Sequence, residues 1–353
     1  MPARRPSPRR RKAPPAARAP KAKRVNLALQ GGGSHGAYAW GILDHFLEDG
    51  RLAIEGFSGT SAGSMNAVVC AYGLLTGGAE SAREKLHGFW KAMSDAGRGF
   101  NLGARLPGAG DRSPAFEAFK VMTGALSPYQ WNPLNINPLR RVLEAQVDFE
   151  ALRACKVTKL FISATSVRSG KARVFCTPEM SADVVLASAC LPTIYQAVVI
   201  DGEPYWDGGY MGNPVLYPLF YETVSRDVII VHINPIDRPG IPKLAHEIED
   251  RMNEITFNAS LIKELRAVAF VQKLLDDGWI KDEYRARLKN VLLHSVRADR
   301  ALEGLSVASK FDLDWAFLQD LRDRGRATAR AWLGRHYADI GVRSSVDVRK
   351  EFL

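Results

Sequence analysis

The sequence has no run of 18 apolar residues, so no membrane-spanning helix is expected. It has four cysteines, Cys70, Cys155, Cys176 and Cys190, spaced too widely for a metal site or a disulfide framework. They are expected as buried thiols in a reducing compartment. No internal repeat is present. The first 24 residues carry no acidic side chain and no apolar stretch of the length a secretory signal needs, although Arg9, Arg10 and Arg11 form a basic cluster. With 46% hydrophobic and 24% charged residues, the chain is neither collagen-like nor disordered throughout. Its 353 residues suffice for one large domain or two ordinary ones.

The net charge of +10 is concentrated in one place. Residues 1–24 hold seven Arg and three Lys, and removing those ten from the 48 basic residues leaves 38 basic against 38 acidic. The excess is a tail, not a face of the fold, and no specific nucleic-acid surface is expected. The tail also holds six of the 19 prolines and is expected to be disordered. A cytoplasmic protein is expected, with the tail available for peripheral contact with an anionic membrane.

The fold is expected to begin near Arg24. Residues 25–30 form a short apolar run that stops at three glycines, a buried-strand pattern. Helical spacing follows from Gly36 to a stop at Gly50, and a second short strand runs from Phe57 into Ser61, with a tightly packed helix after it. Residues 97–138 are rich in glycine and proline with interleaved aromatics, and read either as a lid or as a surface excursion. Residues 160–166 and 172–175 flank a turn and read as a hairpin. Residues 228–233 read as another buried strand, and residues 291–296 as a last one. Leu261, Leu265, Val268 and Leu275 share a helical face that ends at Gly278, and a charged helix through Trp315, Leu318, Leu321 and Trp332 follows. Alternating strands and helices point to an α/β layer fold with a mostly parallel sheet.

Three segments carry candidate chemistry. Residues 31–36, Gly-Gly-Gly-Ser-His-Gly, lie between a strand and a helix, where backbone N–H groups converge. Such a loop suits a phosphate or an oxyanion. Residues 59–63, Gly-Thr-Ser-Ala-Gly, place Ser61 at a strand-to-helix junction in a G-x-S-x-G pattern, which lifts a serine hydroxyl clear of the sheet edge. Residues 207–209, Asp-Gly-Gly, give a carboxylate room to reach a hydroxyl. A serine nucleophile needs a base. Of the seven histidines, His232 is the candidate, because the order Ser61, Asp207, His232 is that of an α/β-hydrolase triad. Spacing alone leaves a Ser–His–Asp triad and a Ser–Asp dyad both open.

The ordered set of segments resembles the patatin-like phospholipase family. Besides the three above it includes residues 187–192, Ala-Ser-Ala-Cys-Leu-Pro, and residues 137–140, Asn-Pro-Leu-Arg. The resemblance covers residues 25–220. It divides the chain into a basic tail (1–24), a catalytic domain (25–220) and a C-terminal α/β completion with a helical extension (221–353). It implies a three-layer α/β/α fold and a dyad without histidine. Ser61 would be the nucleophile and Asp207 its base, with Gly31, Gly32 and Gly33 forming the oxyanion hole. Lipid acyl esters would be cleaved through an acyl-enzyme without metal or cofactor.

The chain departs from the family at His35, where the family usually has Arg or Lys. His35 is therefore a candidate substrate-binding residue whose neutral ring suits an anionic headgroup poorly. Neutral lipids, lysophospholipids and storage polyesters stand beside phospholipids as expected substrates. A catalytically idle lipid-binding or regulatory protein on the same fold is the competing reading, and retention of both Ser61 and Asp207 weighs against it. Nucleotide binding through the glycine loop leaves both residues unexplained.

Overall fold

The computed structural model describes residues 22–98, 114–285 and 287–352. The tail reading lies outside the described residues up to residue 21, and so does the glycine-rich stretch 99–113. Among the described residues eight strands form one sheet: β1 (Lys23–Leu29), β2 (Leu52–Gly59), β3 (Lys159–Ser166), β4 (Ala172–Cys176), β5 (Val198–Ile200), β6 (Glu203–Asp207), β7 (Asp227–Val231) and β8 (Leu292–Val296). Their order is β5-β6-β3-β2-β1-β7-β8, with β4 also paired to β3. The run β3-β2-β1-β7-β8 is parallel, while β4, β5 and β6 pair antiparallel.

The helices that bear on the site are α1 (Gly36–Asp49), α2 (Ala62–Gly97), α3 (Pro114–Ala125), α4 (Pro138–Gln146), α5 (Ala182–Ser188), α6 (Ala245–Asp276), α7 (Trp315–His336) and α8 (Val348–Phe352). Among the described residues no helix is long and apolar enough to cross a membrane.

Strand periodicity explains the layers. Val25, Leu27 and Leu29 of β1, with Ile229 and Val231 of β7, point to one face, where α1, α2, α4, α5 and α7 pack. Ala28, Val228 and Ile230 point to the other, where Leu261, Leu265 and Val268 of α6 and Phe352 of α8 cover them. The result is a three-layer α/β/α fold. Continuous burial of β7 on both faces is what a central parallel strand requires.

Residues after 220 are woven into this body. β7 and β8 extend the sheet. Helix α7 lies directly on α1, with Gly41 of α1 against the Arg322 backbone and Gly325 of α7 against the Tyr38 backbone. The buried Asp227 accepts from the Gly341 N–H at 2.6 Å and lies 3.0 Å from the His294 ring.

Two sequence expectations change here. From residue 114 the glycine- and proline-rich segment is largely helical, as α3, a short helix at Pro128–Trp131 and α4. Asn137 caps α4 by accepting from the Leu139 N–H, which is why the Asn-Pro pair starts a helix. Only Cys70 and Cys190 are buried, whereas Cys155 and Cys176 are partly exposed.

Candidate active site

Loops leaving β1, β2, β6 and β7 meet at one edge of the sheet, outside the carboxyl ends of the parallel strands, where open α/β sheets commonly hold their ligands. Ser61 stands between β2 and α2 with φ 52° and ψ −123°. A positive φ in a residue with a side chain costs about 1–3 kcal/mol, and the surroundings must hold it. They do so from several directions. The Ser61 N–H donates to Ser188 Oγ at 2.9 Å. The Ser61 carbonyl accepts from the Ser64 hydroxyl at 2.6 Å and from the Ser64 and Met65 amides. Gly63 lies against the Leu29 carbonyl, leaving no space for a Cβ.

Asp207 ends β6 and is 1% exposed. Its Oδ1 accepts from the Gly209 N–H at 2.7 Å, and its carboxyl lies near enough to the Ser61 hydroxyl for the two to interact. Burial pushes its pKa up to about 7, opposed by the Gly209 N–H and by the nearby Ser61 hydroxyl. Its backbone N–H donates to the Cys190 carbonyl at 2.8 Å. Residues 187–192 therefore touch both halves of the pair, through Ser188 to Ser61 and through Cys190 to Asp207. Sequence reading flagged that segment without finding this role.

The glycine loop comes directly against Ser61. A Cβ on Gly31 would lie 2.7 Å from the Ser61 Cβ, so only glycine fits there. The Gly31 N–H, however, donates to Asn213 Oδ1 at 2.7 Å. Gly31 is thereby corrected as an oxyanion donor, because its donor is already committed. Among the described residues the N–H groups of Gly32 and Gly33 have no acceptor, and both glycines are at least partly exposed.

His35 is also corrected. It is 4% exposed, its Nε2 lies 2.8 Å from Ser309 Oγ, and its ring meets Phe317 edge-on. The turn Gly33–His35 packs the ring under the C-terminal segment, not at a mouth facing substrate. His232 does not complete a triad. It is buried with its ring stacked 5.7 Å from Phe352. Neither ring nitrogen has a hydrogen-bond partner among the described residues. Burial pulls its pKa down to about 3, so it stays neutral.

Polar residues that carried no sequence signal hold the loops together. Buried Gln30 accepts at Oε1 from the N–H groups of Ile233 and Asn234, at 2.8 and 3.0 Å. Its Nε2 donates to the Asn213 carbonyl and to Asn258 Oδ1. Asn213 Nδ2 donates to the Phe257 carbonyl, and the Phe257 ring packs on Gly209.

Residues 27–219, more than half of the chain, match the sequence profile described as patatin-like phospholipase. The chain belongs to that family. No curated protein matches it. Among solved structures, VipD from Legionella pneumophila is similar at 16% identity and a TM-score of 0.37, with 86% of this chain and 67% of that chain covered. The type III effector ExoU is similar at 15% identity and a TM-score of 0.30, with 88% of this chain covered and 54% of that one. This patatin-like chain thus spans about half the length of ExoU. Its site also uses Asn234, Phe257 and Asn258, which lie beyond the matched residues.

Proposed function

We propose that this patatin-like protein is a serine acyl hydrolase that cleaves lipid acyl esters through a Ser61–Asp207 dyad. The observation that carries this is the strained Ser61 elbow, with its side chain beside a buried carboxyl whose pKa is pushed up to about 7. A base with a pKa near the working pH is half ionised when needed and still accepts a proton readily.

In the proposed sequence Asp207 takes the Ser61 hydroxyl proton as Oγ attacks the ester carbonyl carbon. The negative charge that develops on the carbonyl oxygen is received by the N–H groups of Gly32 and Gly33. Collapse breaks the bond to the alcohol, which leaves with the proton held by Asp207. Water then gives a proton to Asp207 and attacks the acyl-enzyme. A second collapse frees the fatty acid and returns the proton to Ser61.

Apolar side chains support an acyl-chain substrate. Tyr210 and Met211 follow Asp207 after the two glycines and are 39% and 44% exposed. Tyr210 lies 5.8 Å from the Phe257 ring, which borders the same loop. With His35 turned away, nothing in the loop selects an anionic headgroup, and neutral esters are in range beside phospholipids. Residues 25–220 would form the catalytic domain of a cytoplasmic enzyme that meets lipid peripherally.

The test is hydrolysis of a panel of phospholipid, lysophospholipid, triacylglycerol and polyester substrates by the purified protein and by Ser61→Ala. Removal of the nucleophile is expected to lower kcat by about 10³-fold or more on every substrate that is cleaved. Equal turnover by the two proteins would exclude the mechanism.

A further inference from the structure

Lys310 is a cation that the proposed chemistry does not use. It lies in the turn Ala308–Phe311, and its backbone carbonyl packs against Gly33. Its ammonium donates to Asn234 Oδ1 at 2.9 Å and to Asn253 Oδ1 at 3.0 Å. It also lies 5.8 Å from the centre of the Phe257 ring.

An ammonium only donates, so Asn234 must turn its oxygen toward Lys310 and its NH₂ away. That NH₂ donates to the Gly31 carbonyl at 2.9 Å. The Gly31 carbonyl and the Gly32 N–H belong to one trans peptide and point in opposite directions. Holding the carbonyl therefore fixes the side to which the Gly32 N–H points, and a hydrogen bond into the carbonyl polarises that N–H. The peptide is flanked by glycines, which resist rotation least, so an external hold matters here.

We propose that Lys310, acting through Asn234, is a positioning residue for the oxyanion-binding peptide that joins Gly31 and Gly32. The segment beyond the family match then completes the site. The proposal rests on the Ser61–Asp207 reading.

A purely structural role fits poorly, because partial burial of this ammonium works against it. Burial lowers the Lys310 pKa to about 8, with Glu254 and Asp250 of α6 favouring the charge and Arg238 opposing it. His35, Arg238 and Glu254 line one small hollow together with Lys310. Above pH 8 the neutral amine can also accept a hydrogen bond, and Asn234 loses the constraint that orients its amide.

The experiment is the rate of fluorophosphonate labelling of the full chain across neutral and alkaline pH. The proteins compared are wild type, Ser61→Ala, Lys310→Met and Lys310→Arg, each with its thermal unfolding midpoint. Wild type is expected to label at Ser61, with a rate that falls as pH passes about 8. Lys310→Met is expected to label about 10-fold or more slowly at neutral pH, without the alkaline fall and without a matching loss of thermal stability. Lys310→Arg, a donor at every pH, is expected to recover part of the rate. Labelling of Lys310→Met at the wild-type rate, with the wild-type alkaline limb, would overturn the proposal while leaving the dyad intact. Wild type labelling no faster than Ser61→Ala would overturn the dyad and this proposal together.

Discussion

Asp207 is where the proposed chemistry and the stability of this protein oppose each other. Its native pKa of about 7 lies above the usual carboxylate value near 3.8, because burial disfavours the charge. The native state therefore holds a proton between about pH 4 and pH 7 that the unfolded chain has released. Stability from this group is fully present below pH 4 and is lost as pH rises through 7. At about 1.4 kcal/mol per pKa unit, the ionised residue costs the fold about 4 kcal/mol. Asp207→Asn is thus expected to raise the unfolding midpoint at pH 8 but not at pH 4, while abolishing hydrolysis. In the wild type, kcat/KM is expected to rise through about pH 7 with one ionisation. A flat profile between pH 5 and 8, or an Asn variant no more stable at pH 8, would contradict this account of the residue.

Among single residues, the strand-to-helix elbow of Ser61 was legible because it sits in a local motif whose spacing fixes the turn, and the roles proposed for Ser61 and Asp207 rest on that reading. His35 was misplaced because its distance along the chain from the glycines says nothing about direction. The tight turn it occupies rotates its ring toward Ser309. Gln30, Asn213, Asn234 and Lys310 were illegible because their partners lie far away in sequence, and isolated polar residues in loops leave no periodic trace.

At the scale of elements, the short α5 and the turn after it set the separation of Ser61 and Asp207. Ser188 is fully buried and accepts the Ser61 N–H, so Ser188→Ala leaves that amide without its partner. The cost is expected at about 1–3 kcal/mol of stability. Displacement of the elbow is expected to lower kcat more than it changes KM, which steady-state kinetics on a soluble ester together with thermal unfolding would show. Unchanged kcat would mean that the elbow holds its geometry without Ser188. Long elements were readable from periodicity, including α1 up to Gly50, whose φ of 71° ends the helix. The three-residue β5 and its partner β6 were not, because the strands are too short to show alternation.

In the whole molecule, the sheet edge collects loops from both ends of the chain. Gly31 and Ser61 come from its start, Asp207 from its middle, and Asn234, Phe257 and Lys310 from residues beyond the family match. The alternation of strands and helices foretold the layers and the C-terminal α/β completion, but it could not tell how α6 and α7 pack on the body that carries Ser61 and Asp207. That depends on close packing, such as Gly41 against Arg322, which only the folded chain brings about.

The central claim is that Ser61 is a nucleophile activated by Asp207. Its most direct test is intact-mass and peptide mapping of the protein quenched during turnover of a p-nitrophenyl acyl ester, beside Asp207→Asn. The account predicts a covalent acyl group on Ser61 in the wild type and none in the variant. An acyl group on any other residue, or equal acylation of Ser61 in both proteins, would contradict it.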